Sequence, residues 1–397
     1  MNFDIKNNKY NFEITDLIEL GKRTNNSKRN FLFISKLLGK HIIVRPDIVK
    51  ATGVLLASLK YNNINSENIV KYIKGQDIDI SKDIMQTSNN DNKILVIGFA
   101  ETATGLGMSV ASAVKGCVYQ TTTREPIEEL NNLLSFEEEH SHATTHQCFS
   151  MIDENFNNYD EIILVDDEIT TGKTMINLIH EITKISTVKK FSVLSILDWR
   201  TSEYLDMYEK YLKENPDISI NVYSVMSGYV SSDDTTVYTD TVEVETIVNK
   251  TDAIKELNIL DRVELNTTYG TVKYYKNSGR FGVHQEDINA LEIEAKKIAD
   301  KINANNKEKI LVIGHGENIY IPSRIASAIN ADFRTTTRSP IYCDGKIIET
   351  KHSFVDRDVT YFLYNKDYIE KTYDRVVLIV ETPLNIKMFN NIEIYNI

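Results

Sequence analysis

The chain runs to 397 residues, 42% hydrophobic and 26% charged, more than one hydrophobic core ordinarily organises, so a globular protein of two domains is expected. No apolar run approaches the ~18 residues of a membrane-crossing helix, and the opening Met1-Asn2-Phe3-Asp4-Ile5-Lys6 has no secretory apolar core, so a cytoplasmic protein is expected. Cys117, Cys148 and Cys343 are odd in number and far apart, which suits reduced thiols rather than a disulfide frame or a zinc site, and a formal charge of −12 argues against a nucleic-acid groove spread over the surface.

Residues 1–90 are mixed in character. Their one basic cluster, Lys22, Arg23, Lys28 and Arg29, precedes the run Phe31 to His41 and by itself reads as a solvated helix face. Pro46 breaks that pattern, and Asp47 to Tyr61 has helical spacing. Lys93 to Gly98 is an apolar strand that opens into Phe99-Ala100-Glu101-Thr102-Ala103-Thr104-Gly105-Leu106-Gly107, followed by a helix with Met108, Val110, Ala111 and Val114 inward. Small residues at a strand's end suit close approach to a pyrophosphate, a signal of low specificity taken alone. Val118 to Thr123 is the next strand; Arg124 at its end suits an anion clamp. In the polar stretch Glu137 to His146, the histidines His140, His142 and His146 read equally as metal ligands, as members of a lid over a reacting group, or as an ordinary surface hairpin.

The chemistry is expected at Glu161 to Thr174. The aliphatic run Ile162 to Val165 leads into Asp166 and Asp167, then into Thr170-Thr171-Gly172-Lys173-Thr174, and Met175 to Ile185 has helical spacing. The hydroxyls and backbone N–H groups would meet a phosphate at the helix N-terminus, while the acid pair could accept two vicinal sugar hydroxyls or hold magnesium. A P-loop needs glycine where Asp167 stands, so that reading fails. Instead the stretch resembles the phosphoribosyl pyrophosphate motif of type I phosphoribosyltransferases: aliphatics, two acids, two variable positions, then a Thr/Gly/Thr loop. Glu168 departs from the pattern, since the family usually has an aliphatic or small residue there.

Lys190 to Leu197 is another strand, ending at Asp198-Trp199-Arg200; the Trp199 indole suits either stacking on a base or packing in the core. Val230 to about Arg280 is polar and reads as a bridge. Beyond it the chain repeats itself: Lys309 to Gly314 copies Lys93 to Gly98 residue for residue, Glu317 follows its glycine as Glu101 does, Thr335-Thr336-Thr337-Arg338 copies Thr121 to Arg124, and Val376 to Ile379 answers Ile162 to Val165. The second copy is degenerate. Val380 and Glu381 replace the aspartates, and Leu384, Asn385 and Ile386 replace the Thr-Thr-Gly turn.

Over nearly its full length the chain resembles a phosphoribosyltransferase family linked to bacterial tellurium-resistance and stress gene clusters, in which the transferase domain is followed by a TRSP domain. Ser27 to His41, Gly98 to Gly107, Thr121 to Pro126, Ser135 to Ala143, the central motif and Gly314-His315-Gly316-Glu317 carry the likeness. It implies an α/β architecture: a type I phosphoribosyltransferase-like parallel sheet with flanking helices over 1–230 (an N-terminal segment 1–90, a core 91–230), a bridge over 231–270, and a degenerate α/β repeat over 271–397. It further implies ribose 5-phosphate transfer between phosphoribosyl pyrophosphate and a nitrogenous base. Catalytic work falls to Asp166, Asp167, Glu139, His140 and His142. Phosphoribosyl pyrophosphate falls to Asp166, Asp167, Thr170, Thr171, Gly172, Lys173, Thr174, Ala100, Glu101, Thr102 and Arg124, the base to Trp199 and Arg200, and Mg2+ to Asp166 and Asp167. Hypoxanthine-type enzymes carry an aspartate where Thr170 stands, so the site looks orotate-like. The alternative is a non-catalytic nucleotide-binding regulator or an adaptor for a partner from the same cluster; a homodimer is also compatible.

Overall fold

The computed structural model describes residues 1–24, 26, 29–125, 127–136, 146–152, 155–239, 254–302, 307–384, 389 and 392–397. The aliphatic runs become parallel strands covered on both faces. Ile94–Gly98, Val118–Thr121, Glu161–Ile169, Lys190–Asp198 and Ser219–Ser231 form the centre of a seven-stranded sheet, and Asn2–Asn8 and Val283–His284 close its edges antiparallel. In space the central order is Ser219–Ser231, Lys190–Asp198, Glu161–Ile169, Ile94–Gly98, Val118–Thr121. The chain thus leaves Ile94–Gly98 toward one side and returns to lay Glu161–Ile169 against the other. At such a reversal the two crossovers diverge and a crevice opens at the carboxyl ends of the strands.

Helices flank the sheet as their spacing requires. Ile48–Lys60 lies within the expected Asp47 to Tyr61 and crosses Ala103–Ser112 so closely that a Cβ on Gly53 would stand 2.2 Å from Ser109 Cβ. Lys173–Ile185 turns Met175, Ile176, Leu178, Ile179 and Ile182 inward. Among the described residues no helix is long and apolar enough to cross a membrane.

The basic cluster near the N-terminus flanks a β-hairpin and not a helix face, with Lys22 on it and Arg23 and Arg29 beside it: Ile18–Lys22 pairs antiparallel with Phe31–Ser35, and Lys28 lies outside the described residues. The aromatic and branched run Phe31-Leu32-Phe33-Ile34 suits a half-buried pleated surface better than a helix. Within the polar stretch read as a bridge, Arg262–Thr267 and Gly270–Tyr275 form a second hairpin. Its Leu265 and Tyr274 pack with Phe281 against Ile127 and Phe149 of the first half.

The repeat is visible in the topology. Ile392–Asn396, Arg375–Val380, Ile310–Gly314 and Asp332–Thr335 are parallel and lie in that order, with Lys255–Glu256 beyond Ile392–Asn396. The expected fold class holds: a parallel α/β layer followed by a second, smaller one. In both copies the Ile-Leu-Val-Ile-Gly strand lies between corresponding neighbours, Ile94–Gly98 between Val118–Thr121 and Glu161–Ile169, and Ile310–Gly314 between Asp332–Thr335 and Arg375–Val380. One apolar cluster joins the halves, with Leu106 and Val110 in the first and Ile319, Ile325 and Phe333 in the second.

Gly105 marks a close approach of the halves, because a Cβ there would stand 2.5 Å from Ile319 Cγ2 and 2.8 Å from Ile319 Cβ. Gly105→Ala is therefore expected to lower the unfolding free energy by ~1–3 kcal/mol through overpacking, read by urea titration; an unchanged midpoint and slope would show that the halves have room to spare.

Candidate functional site

The Glu161–Ile169 strand carries its aliphatic residues into the core and its two aspartates to the crevice edge, where both are partly exposed. The Asp167 N–H donates to Asp166 Oδ1 at 2.9 Å. Gly172 then takes a left-handed turn (φ +70°) directly before the helix Lys173–Ile185. Thr170, Thr171, Gly172, Lys173 and Thr174 are partly exposed around it. No side chain larger than glycine fits at that turn, because Tyr208 Oη would lie 2.5 Å from the added Cβ. Tyr208 Oη donates to the Gly172 carbonyl at 3.0 Å, and the Arg200 guanidinium lies over the Tyr208 ring.

Arg200 is itself fixed by two bonds to Asp198, 2.9 Å from Nε and 2.7 Å from Nη2. Thus Asp198, Arg200 and Tyr208 stand in line behind the Gly172 turn. Trp199 is 5% exposed and packs its ring against Phe3 and Phe33. The structure brings the acid pair and the turn together and gives Trp199 and Arg200 packing and supporting contacts beside them.

Across the reversal lies the loop that leaves Ile94–Gly98. Ala100, Glu101 and Thr102 are buried there, and the Ala100 N–H donates to Thr122 Oγ1 at 2.9 Å. Thr102 Oγ1 accepts from Lys40 Nζ at 2.6 Å. Glu101 faces the second half, accepting from the Arg338 N–H at 3.3 Å with each oxygen. The exchange is reciprocal: Glu317 accepts from the Arg124 N–H at 3.1 Å and from Thr123 Oγ1 at 2.8 Å. Arg280 adds an Nε bond to Glu317 at 3.0 Å and two Nη1 bonds to Glu381 at 2.8 and 2.6 Å. Burial would raise the Glu317 carboxyl, but the Arg280 and Arg338 guanidiniums and the bonds from Arg124 and Thr123 hold it below its usual range.

The stretch expected as a lid is described only at its stem, where Leu134–Phe136 pairs antiparallel with His146–Cys148. Gln147 exchanges backbone bonds with Thr123, so the stem stands beside Arg124. Glu139, His140 and His142 lie outside the described residues, as do Asn385 and Ile386.

Beside the acid pair, Asp167 and Glu168 share a crevice of ≈ 230 Å³, counting its open mouth, with Phe33, Ser35 and Leu197. Arg29 binds Glu168 at 2.7 Å and lies over the Phe31 and Phe33 rings. As to a metal, no group of three or more His, Cys, Asp or Glu side chains placed to hold one occurs among the described residues. Two partly exposed carboxylates beside a turn rich in hydroxyls fit an ion that completes its shell with water and further oxygens, as magnesium does.

Lys40, Arg280 and the Glu317 contacts were not among the expected site features. Glu317 was marked by its place in the repeat, and Arg280 by the glycines either side of it in Gly279-Arg280-Phe281-Gly282.

A family model described as phosphoribosyl transferase matches residues 17–229, and one described as the TRSP domain C-terminal to it matches residues 277–393. No curated protein matches the sequence. Among solved structures the chain is similar to the adenine phosphoribosyl transferase of Trypanosoma brucei, at 10% identity over 52% of this chain and 76% of that one, TM-score 0.31. It is also similar to the adenine phosphoribosyltransferase of Rhodothermus marinus (15%, 54% and 96%, TM-score 0.29) and to the orotate phosphoribosyltransferase of Mycobacterium tuberculosis (12%, 54% and 90%, TM-score 0.26).

The depressed Glu317 carboxyl has a consequence for stability. Its contribution is fully present above the ordinary value of 4.5 and is lost as pH falls through the lower folded value. Glu317→Gln is therefore expected to flatten the dependence of unfolding free energy on pH below 4.5; identical slopes in denaturant titrations would remove Glu317 from the acid-sensitive set.

Proposed function

Since the chain belongs to the phosphoribosyl transferase family, with a TRSP domain following the transferase domain, we propose that its N-terminal half transfers ribose 5-phosphate between phosphoribosyl pyrophosphate and a nitrogenous base. The observation that carries this reading is the meeting, at the reversal of the sheet, of an accessible acid pair with a glycine-hinged turn rich in hydroxyls. Asp166 and Asp167 would accept hydrogen bonds from the ribose hydroxyls. Thr170 to Thr174 would hold the 5-phosphate on hydroxyls and helix N–H groups, and Ala100 to Thr102 with Arg124 would face the pyrophosphate.

In the forward direction a base nitrogen attacks C1 of the ribose while the bond from C1 to the pyrophosphate oxygen breaks, and pyrophosphate leaves with the electron pair. The base proton passes to solvent or to a neighbouring acceptor, because Thr170 supplies no carboxylate at its position. Positive charge develops at C1 in the transition state, and the aspartates on the ribose hydroxyls stabilise it by preorganised electrostatics. Magnesium, when bound, neutralises the leaving pyrophosphate; Asp166 and Asp167 are the residues that would hold it.

Calorimetry with the magnesium complex of phosphoribosyl pyrophosphate tests the reading. Asp166→Asn with Asp167→Asn is expected to weaken binding at least ~100-fold, since each hydrogen bond to a charged acceptor is worth ~1.5–3 kcal/mol. Unchanged affinity in a folded double variant would sink the assignment. Transfer of labelled ribose 5-phosphate to a panel of bases would then separate an enzyme from a sensor that only binds.

A further inference from the structure

We propose that Lys40 is a pyrophosphate-contacting residue of the N-terminal site and that the C-terminal half holds it in place, an inference that rests on the transferase reading above. The stretch Phe99 to Gly107 contains no cation, and its single charged residue is Glu101. That carboxylate is turned to the Arg338 N–H of the second half. A pyrophosphate held there needs compensating charge from elsewhere in the chain, and Lys40 places its ammonium at the loop, 2.6 Å from Thr102 Oγ1. Thr102 directly precedes the helix Ala103–Ser112, so the ammonium and the helix N-terminus converge on one spot. An ammonium has three donors; two remain for phosphate oxygens beside the one given to Thr102. Lys40 is partly exposed, so a ligand can reach it.

What fixes Lys40 is the second sheet. Val44 and Phe333 exchange backbone bonds at 2.8 and 2.9 Å, and the Thr335 N–H donates to the Gly39 carbonyl at 2.8 Å. Arg334, buried, donates to the His41 carbonyl at 3.1 Å. Residues 39–44 therefore run along the edge strand Asp332–Thr335. Gly39 is left-handed (φ +69°), and the Phe333 ring lies 2.8 Å from where its Cβ would stand. A half without a phosphate turn of its own thereby contributes to the other half's site by positioning a cation.

The test is calorimetry on the full chain with three probes: phosphoribosyl pyrophosphate, inorganic pyrophosphate and ribose 5-phosphate, each with magnesium. Lys40→Ala, at a partly exposed position, is expected to keep the wild-type melting temperature. It should weaken the two pyrophosphate-bearing ligands by ~10- to 100-fold, the scale of one charged hydrogen bond, and leave ribose 5-phosphate unchanged. Lys40→Arg should restore most of the affinity. Gly39→Ala, which keeps Lys40 but drives a methyl into Phe333, should shift the same two ligands in the same direction. Wild-type affinity for pyrophosphate in Lys40→Ala, or equal weakening of all three probes, overturns the role of Lys40 while leaving the transferase reading intact. Absence of any phosphoribosyl pyrophosphate binding by the wild type overturns both.

Discussion

Of the carboxylates that cross between the halves, Glu101 and Glu317 are exchanged between the two copies of one motif. Glu101 lies on the Arg338 N–H, and Glu317 lies on the Arg124 N–H and the Thr123 hydroxyl. Each acid sits three residues past the glycine that ends an Ile-Leu-Val-Ile-Gly strand, and each receiving turn belongs to a Thr-Thr-Thr-Arg copy. A buried carboxylate must be hydrogen-bonded, and backbone donors cannot swing away as side chains can, so this contact specifies orientation as well as proximity. Residue i of one copy meets residue j of the other and j meets i, the self-complementary pattern of a two-fold interface. Here both partners are in one chain.

The same constraint explains why two related crevices differ. In the first half Asp166 and Asp167 are partly exposed beside the Thr170 to Thr174 turn. In the second, Glu381 accepts from Arg280 and from the Tyr275 N–H at 3.0 Å, both delivered by the hairpin and turn that precede the repeat. Glu381 and Arg280 line a crevice with Glu317, Ser278 and Asn318. His315 bonds Thr336 at 2.8 Å and faces Asp356 at 3.4 Å, while the Tyr361 ring backs Gly316 and its hydroxyl accepts from Arg338. Glu125 of the first half binds Arg357 at 3.1 Å and Arg338 at 3.4 Å. A carboxylate at the end of a buried strand needs either solvent or a fixed cation; the first copy's pair is partly exposed, and the second copy's Glu381 is held by Arg280.

Much of this was legible because it is local. Aliphatic runs bounded by small polar residues mark parallel strands, and the identical Lys-Ile-Leu-Val-Ile-Gly copies announce a duplicated layer. The acid pair and the Thr-Thr-Gly-Lys-Thr turn could be placed because strand, turn and helix follow one another in the chain. What stayed hidden is non-local. That Arg280 would neutralise Glu381, or that Gly39 to Val44 would run along the edge of the second sheet, depends on contacts between distant segments that no periodicity records. Gly105 illustrates the limit: a loop glycine suits approach to a phosphate, yet here its missing side chain makes room for Ile319.

The acidic departure at Glu168 follows the same logic. A third carboxylate after Asp166 and Asp167 adds repulsion where a polyanion is expected to bind, and burial drives its carboxyl above the usual range against the pull of Arg29. Arg29 is bonded to it at 2.7 Å, and its guanidinium plane also covers Phe31 and Phe33. A guanidinium satisfies both demands where an ammonium would not, because its flat face packs on rings while its edge donates to the carboxylate. The pair therefore returns the local charge to that of a chain with a neutral residue at 168. It also ties the N-terminal hairpin to the strand that carries the acids, so that Ile18, Phe33 and Ser35 of the hairpin form a wall of the crevice.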